Sequence, residues 1–241
     1  MLKIKINEVL IAVIISIALI IAILSLPDIL LPLAKYILTG LGNYWFLAIS
    51  LIGIIHGLKP DEHTWPITVS YGVMQKDVKH ALLSTTVFAG ALTLVWSALS
   101  SLASEIFSTF LNYNLDSYVD IIVGITMISV ALALLAHKNK GDLEKRADYK
   151  IIWIHGIAAA FGGDFIVVLI LTLASISFIP YSLGFLIGFL FGLGSWISQS
   201  IVVALIYKGM FKMTKDVSIM IKAGRLSLFF LGIFMITLGM V

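Results

Sequence analysis

The sequence predicts an all-α, polytopic membrane protein with about seven transmembrane helices. Of its 241 residues, 60% are hydrophobic and only 12% are charged, and the apolar residues form long, nearly uninterrupted runs. A soluble domain averages roughly 45–50% apolar and about 25% charged residues. A helix needs about 20 consecutive apolar residues to span a bilayer, whereas a water-exposed helix keeps a polar face. The composition therefore excludes a soluble enzyme and a peripheral module.

The charge balance and the lack of cysteine exclude further classes. The formal net charge is +3 and the pI is near 9.0, but the basic residues fall in loops between apolar runs, where membrane topology explains them. We therefore expect no nucleic-acid partner. The chain has no cysteine, so it can form no disulfide, and a bound metal ion must be held by histidine nitrogen or by oxygen.

Seven apolar runs follow one another along the chain. The first, Val9–Leu26, is longer than a signal-peptide core of about 7–15 residues and lacks a small-residue cleavage site, so we interpret it as a retained span. The remaining predicted spans begin near Tyr44, Ala81, Tyr118, Ile151, Tyr181 and Ala223. If the spans alternate in direction, fifteen of the sixteen Lys and Arg residues share one side, with Lys35 opposite. The positive-inside rule makes that side cytoplasmic. We therefore expect a multi-pass protein of the cell membrane with a cytoplasmic N-terminus and an external C-terminus.

Within a single transmembrane domain, residues 1–241, the order of the spans suggests a repeat. We expect an extra N-terminal span in residues 1–40 and a first three-helix repeat in 41–137. A basic cytoplasmic loop, 138–150, precedes the second three-helix repeat, 151–241.

Each repeat opens with a similar tripeptide, Ile55-His56-Gly57 in the first and Ile154-His155-Gly156 in the second. A carboxylate follows in each case, Asp61 and Asp164. Because three spans separate the two starts, the repeats would enter the membrane from opposite sides. This inverted topology is common in secondary transporters, whose sites lie where the repeats meet.

One polar stretch interrupts the apolar pattern of the second span, His56-Gly57-Leu58-Lys59-Pro60-Asp61-Glu62-His63. On an unbroken helix its two histidines would stand about 10 Å apart, and the aspartate would point roughly 140° away from the first. The glycine and the proline favour a helix break, which would bring the three side chains together around a divalent cation. Alternatively, Pro60 lies in the first turn of a new cytoplasmic helix whose dipole Asp61 and Glu62 complement.

Further candidates lie in the same stretch and in the fifth span. Asp164 lies well inside an apolar run, where an ionisable group is costly and usually functional, and Gly162 and Gly163 before it can bend the helix. The alternative is a carboxylate paired for packing. Glu62 is a ligand, an entry carboxylate or an exposed acid, and His155 is a ligand, a gate or an interface histidine. The complete set of candidate metal ligands is His56, Asp61, Glu62, His63, His155 and Asp164.

Over about a dozen residues, the stretch resembles the H-x-x-x-x-D-H motif of the nickel/cobalt transporter family, within the lysine-exporter-like superfamily. The resemblance implies transport of Ni²⁺ or Co²⁺, with His56, Asp61 and His63 at the motif positions. Glu62 is an extra residue that moves the last histidine one position further along the chain.

We therefore expect a transporter and not an enzyme, because the chain has no zinc-protease pair, nucleophile elbow or phosphate-binding glycine loop. No prosthetic cofactor is expected, and the metal ion is the substrate. The expected partners are membrane lipid, the metal ion and, as an open alternative, further copies of the chain. Three other functions stay open: export of a small organic solute, a membrane-embedded metalloenzyme and a scaffold subunit.

Overall fold

The computed structural model describes residues 6–25, 29–110, 116–136, 148–175, 179 and 181–240. This part of the chain is all-helical, which confirms the all-α part of the prediction. The predicted basic loop, 138–150, falls outside the described residues except for its last three positions. The α-helices are α1 (Ile6–Ser25), α2 (Leu30–Leu41), α3 (Trp45–Leu58), α4 (Trp65–Val73), α5 (Val78–Phe110), α6 (Asp116–Ala136), α7 (Tyr149–Ala159), α8 (Gly163–Ser175), α9 (Phe185–Thr214) and α10 (Val217–Gly239).

Several of these helices are long and apolar enough to cross a membrane. Among the described residues five segments meet that condition: α1, α2 with α3, most of α5, α9 and α10. The pair α7 and α8 meets it as one element bent by 51°, and α6 contains a shorter apolar helix. These lengths support a membrane protein, while the number of seven spans and their orientation stay predictions.

The region predicted as one extra span, 1–40, contains most of a second helix as well. Helix α2 begins at Leu30, and Pro32 lies in its first turn, where a missing backbone donor costs nothing. A 3₁₀ turn, Gly42–Tyr44, joins α2 to α3. Pro32 therefore belongs to α2, and Tyr44, where the second span is predicted to begin, lies at the junction between α2 and α3.

Glycines permit the closest helix crossings of the bundle. A Cβ atom at Gly188 on α9 would collide with the main chain of Trp96 on α5. Similarly, a Cβ atom at Gly53 on α3 would collide with the main chain of Phe191 on α9. Small residues let helix backbones approach closely, which is how helices associate in lipid. Gly188 on α9 therefore acts in helix packing.

We expect Gly188→Ala to destabilise the fold by about 1–3 kcal/mol, the usual cost of overpacking, because the added methyl group meets main chain that cannot rotate away. Thermal unfolding in detergent measures the change. Gly209→Ala on the same helix is the control, since a Cβ atom there meets nothing within 4 Å. Equal melting temperatures for the two variants would contradict this packing.

Candidate functional site

Two interruptions of helical structure meet inside the bundle. Helix α3 ends at Leu58 and α4 begins only at Trp65, while α7 ends at Ala159 and α8 begins at Gly163. The two interruptions are in contact, since a Cβ atom at Gly162 would lie 2.8 Å from Cγ of His63. Both breaks lie at the motifs where the glycine and proline pattern predicts them. Residue 162 must be glycine for the imidazole to approach this closely.

Two tryptophans bind carbonyl groups at the ends of the interrupted helices. The indole Nε1 of Trp65 donates to the carbonyl of Gly57 at 3.3 Å, and that of Trp96 donates to the carbonyl of Ala160 at 2.8 Å. A buried carbonyl without a partner costs about 1–3 kcal/mol. Helix α4 is buried along nearly its whole length, and irregular backbone at membrane depth is tolerated where protein surrounds it. Hydrogen bonds from the two indoles and the surrounding protein therefore stabilise the non-helical backbone at both breaks.

Carboxylates and imidazoles alternate through the junction of the two breaks. Oδ2 of Asp164 lies 3.4 Å from Nδ1 of His56, whose Nε2 lies 3.9 Å from Oδ2 of Asp61. The other oxygen of Asp61 lies 3.7 Å from Nδ1 of His63, and Nε2 of that ring lies 3.0 Å from Oδ1 of Asp120. The series joins α8, α3, the segment before α4, and α6. It brings together residues that are remote in sequence.

The histidines of this series have ring nitrogens without hydrogen bonds. Both ring nitrogens of His56 are buried and make no hydrogen bond to a described residue. The same is true of Nε2 of His63. Oδ1 of Asp120, opposite His63, is in the same condition. Buried polar atoms are almost always hydrogen-bonded, and leaving one unpaired costs free energy. These nitrogens face carboxylate oxygens at 3.0–3.9 Å without a hydrogen bond of good geometry, an arrangement that a bound cation would complete.

The carboxylate of Asp61 also organises the chain before α4. It accepts hydrogen bonds from the backbone N–H of His63 at 2.8 Å and of Thr64 at 3.2 Å, and from the hydroxyl of Thr64. The acid therefore stabilises a turn before α4, whereas the alternative interpretation of the motif placed Asp61 and Glu62 at the start of the helix itself. The helix nevertheless begins later than that interpretation required: Pro66, and not Pro60, occupies its first turn.

Aromatic rings enclose the His56 imidazole. Its ring centroid lies 5.0 Å from that of Phe191 on α9 and 5.8 Å from that of Trp96 on α5. Phe165 on α8 stacks on Trp96 with ring centroids 5.1 Å apart. Electrostatic interactions are stronger in such an apolar environment than in water. The rings therefore exclude solvent from one side of the site.

Lys59 and Glu62 border the more accessible parts of the series. Nζ of Lys59 lies 3.4 Å from Oδ2 of Asp164, the same oxygen that faces His56. The Asp164 side chain keeps 29% of its surface exposed. Glu62 is about one-third exposed, and its Oε1 lies 3.6 Å from Nδ1 of His63. Asp61, Glu62 and His63 each offer a ligand atom within 4.8 Å of the others.

His155 lies in another environment. Its Nδ1 is 2.5 Å from the hydroxyl of Tyr71 on α4, and the two rings pack with centroids 5.6 Å apart. Within the described residues, the group of three close potential ligands does not include it. The similar tripeptides of the two predicted repeats therefore place their histidines against different partners. The structure brings the other five predicted residues together.

Asp120 is the site residue that the sequence analysis missed. It lies on α6 and is only 5% exposed. It follows Tyr118, the predicted start of the fourth span, by two residues. In the sequence it therefore resembles an acidic residue at the membrane boundary. An ionisable residue inside an apolar run is nevertheless a signal of function, and that signal alone could have identified it.

Comparisons with known proteins identified no relative of this chain. No protein-family model, curated protein or solved structure matches the chain. The resemblance to nickel/cobalt transporters therefore rests on the motif residues alone.

We expect Trp96→Phe to lower the free energy of unfolding by about 1–3 kcal/mol, because it leaves the buried carbonyl of Ala160 without its indole donor. Thermal unfolding of the purified protein measures this loss. The matched control is Trp153→Phe, since Trp153 is 37% exposed on the outside of the bundle. A loss as large in the control would show that the indole hydrogen bond is not the cause.

Proposed function

We propose that this protein transports a divalent transition-metal cation across the membrane, with Ni²⁺ or Co²⁺ as the first candidates and Zn²⁺ or Mn²⁺ as further ones. The observation that carries the proposal is the pair of buried imidazoles, His56 and His63, whose ring nitrogens face carboxylates without well-aligned hydrogen bonds at the junction of two broken helices. Imidazole with carboxylate suits the borderline metals, whereas Mg²⁺ and Ca²⁺ prefer oxygen ligands alone.

The distances agree with ligands that share an ion. Metal bonds to nitrogen and oxygen are about 2.0–2.2 Å long, so two ligands of one ion stand roughly 3–3.5 Å apart. The pair of His56 with Asp164 is separated by 3.4 Å and the pair of His63 with Asp120 by 3.0 Å. Asp61 lies between the two imidazoles. The series therefore offers two neighbouring positions along a path for the cation.

The helix crossings support the inverted repeat on which the mechanism depends. A Cβ atom at Gly57 would collide with Ser195 and Ser198 on α9, and one at Gly156 would meet the main chain of Phe88 on α5. Each tripeptide thus packs against the long helix of the other predicted repeat, as a two-fold relation between the repeats requires.

The last helices of the two repeats cross in the same reciprocal way. A Cβ atom at Gly124 on α6 would lie 2.7 Å from the carbonyl oxygen of Gly232 on α10, and the converse separation would be 2.9 Å. Rocking of one repeat against the other would expose the site alternately to the two sides.

Lys59 acts in this mechanism as an internal cation. Its ammonium group neutralises Asp164 when no metal is bound, which limits the cost of a carboxylate at this depth. An entering divalent cation takes over that carboxylate, and the lysine moves aside. Binding is therefore an exchange of one cation for another, so that Asp164 always has a positive partner.

We expect Asp164→Asn and Asp61→Asn to abolish metal flux, because each removes a negative charge from the path. Uptake of Ni²⁺ or Co²⁺ into proteoliposomes measures flux, and thermal unfolding checks the fold. The control is Asp216→Asn at the start of α10, where asparagine caps a helix as well as aspartate does. Wild-type flux in both site variants would refute the assignment.

We expect Lys59→Met to raise the affinity for the metal roughly three- to tenfold, because it removes a competing cation worth about 1 kcal/mol at a partly exposed carboxylate. Isothermal titration calorimetry measures the change. Lys79→Met, at an exposed lysine, is the charge-matched control. An unchanged or weakened affinity would mean that the lysine does not compete with the substrate.

One observation favours a second candidate, the proton-coupled export of a small organic solute. The contact between Lys59 and Asp164 shows that this carboxylate fits a primary ammonium group. Alternating imidazoles and carboxylates also suit the transfer of protons through a membrane. Equilibrium dialysis against Ni²⁺ and Co²⁺ separates the two functions, because an organic-solute exporter would bind no stoichiometric metal.

A further inference from the structure

A second polar feature lies at the far end of α9, away from the series of histidines and carboxylates. A pocket of about 700 Å³ opens between this end of α9 and the segment that joins α4 to α5. Its lining residues are Lys76, Asp77, Val78, Tyr207, Lys208, Phe211, Lys212 and Lys215. Four lysine residues therefore line a pocket whose wall is mostly apolar.

The single carboxylate of the lining does not cancel this charge. Asp77 accepts a hydrogen bond from the backbone N–H of His80 at 2.9 Å, and its Oδ1 lies 2.8 Å from Nδ1 of the same residue. These hydrogen bonds hold the pKa of the Asp77 carboxyl below its usual range. Its negative charge is directed towards His80, and the four lysines give the residues that line the pocket a net positive charge.

The helix dipole explains only part of the lysine cluster. A cation in the last turn of a helix is stabilised by the dipole, and the effect fades within that turn. Lys212 lies in the last turn of α9, but Lys208 lies further back and Lys76 belongs to another element. Lys215 has a φ of 51°, the one positive φ among the described residues. A left-handed conformation is costly for lysine, and glycine is usual at such a helix end. Lysine at this position therefore carries a backbone penalty that glycine would avoid.

We propose that this pocket binds the headgroup of an anionic phospholipid. The lysines would hold the phosphate group, and Phe211, which is 46% exposed, would contact the upper part of an acyl chain. Basic pockets between membrane helices bind anionic headgroups, and each lysine near an anionic surface contributes about 1 kcal/mol. Both elements of the pocket belong to the lysine-rich side of the chain. The lipid would contact both α9 and the α4–α5 segment and hold them together. The pocket contains none of the candidate metal ligands, so the proposal does not depend on which substrate is transported.

The test is a lipid titration of the purified protein, followed by native mass spectrometry. Phosphatidylglycerol should bind in preference to phosphatidylcholine, and the double variant Lys76→Gln with Lys208→Gln should weaken its binding about thirtyfold, from two lysines at about 1 kcal/mol each. The charge-matched control is Lys35→Gln with Lys79→Gln, since both are exposed lysines outside the pocket.

Two results would overturn the proposal. Equal losses in the two double variants would show attraction by overall charge and not by this pocket. Displacement of the lipid by millimolar inorganic phosphate would identify a site for a soluble anion.

Discussion

The central constraint on this structure is that polar groups are buried in an apolar helix bundle: the imidazole nitrogens of His56 and His63, and the backbone of two interrupted helices. Both features are costly, because unpaired polar atoms lose their contacts with water. Indole donors from Trp65 and Trp96 bind carbonyls at the interruptions. Close helix crossings at glycine surround the irregular backbone with protein. The ring nitrogens of His56 lack such well-formed hydrogen bonds and face the carboxylates of Asp61 and Asp164 instead.

The charges of the site are divided between its two ends. At one end Lys59 neutralises Asp164, and His56 faces the same carboxylate oxygen. At the other end His63 faces Asp120, and both side chains are almost fully buried. Asp61 connects the ends, because each of its oxygens faces a different imidazole. A cation entering beside Asp164 would therefore pass from a partly exposed environment to an enclosed one.

Some elements of the site follow from local sequence and others do not. Helix interruptions near Gly57–Pro60 and Gly162–Gly163 were predicted, because glycine and proline act on the backbone of their own helix. The interruptions follow Leu58 and Ala159, and Gly57 itself lies within α3. Asp120 was missed, since its position near the start of a span resembles that of a boundary acid. The similarity between the tripeptides around His56 and His155 suggested a repeat and left the role of His155 open, and His155 lies against Tyr71. The local sequence predicted an interruption of each helix, but the packing of neighbouring helices determines which residues contact each histidine.

The sequence by itself determined the membrane class, the all-helical fold and the types of ligand available. These follow from requirements that each segment meets alone: a span needs a long apolar run, and a chain without cysteine can offer metals only nitrogen and oxygen. Only the tertiary structure decided which carboxylate faces which imidazole. Asp120 and Asp164 reach the histidines from α6 and α8, helices that are remote in the chain. Their approach depends on the angle and depth of helix packing, which close contacts at glycines such as Gly162 control and which no local pattern encodes.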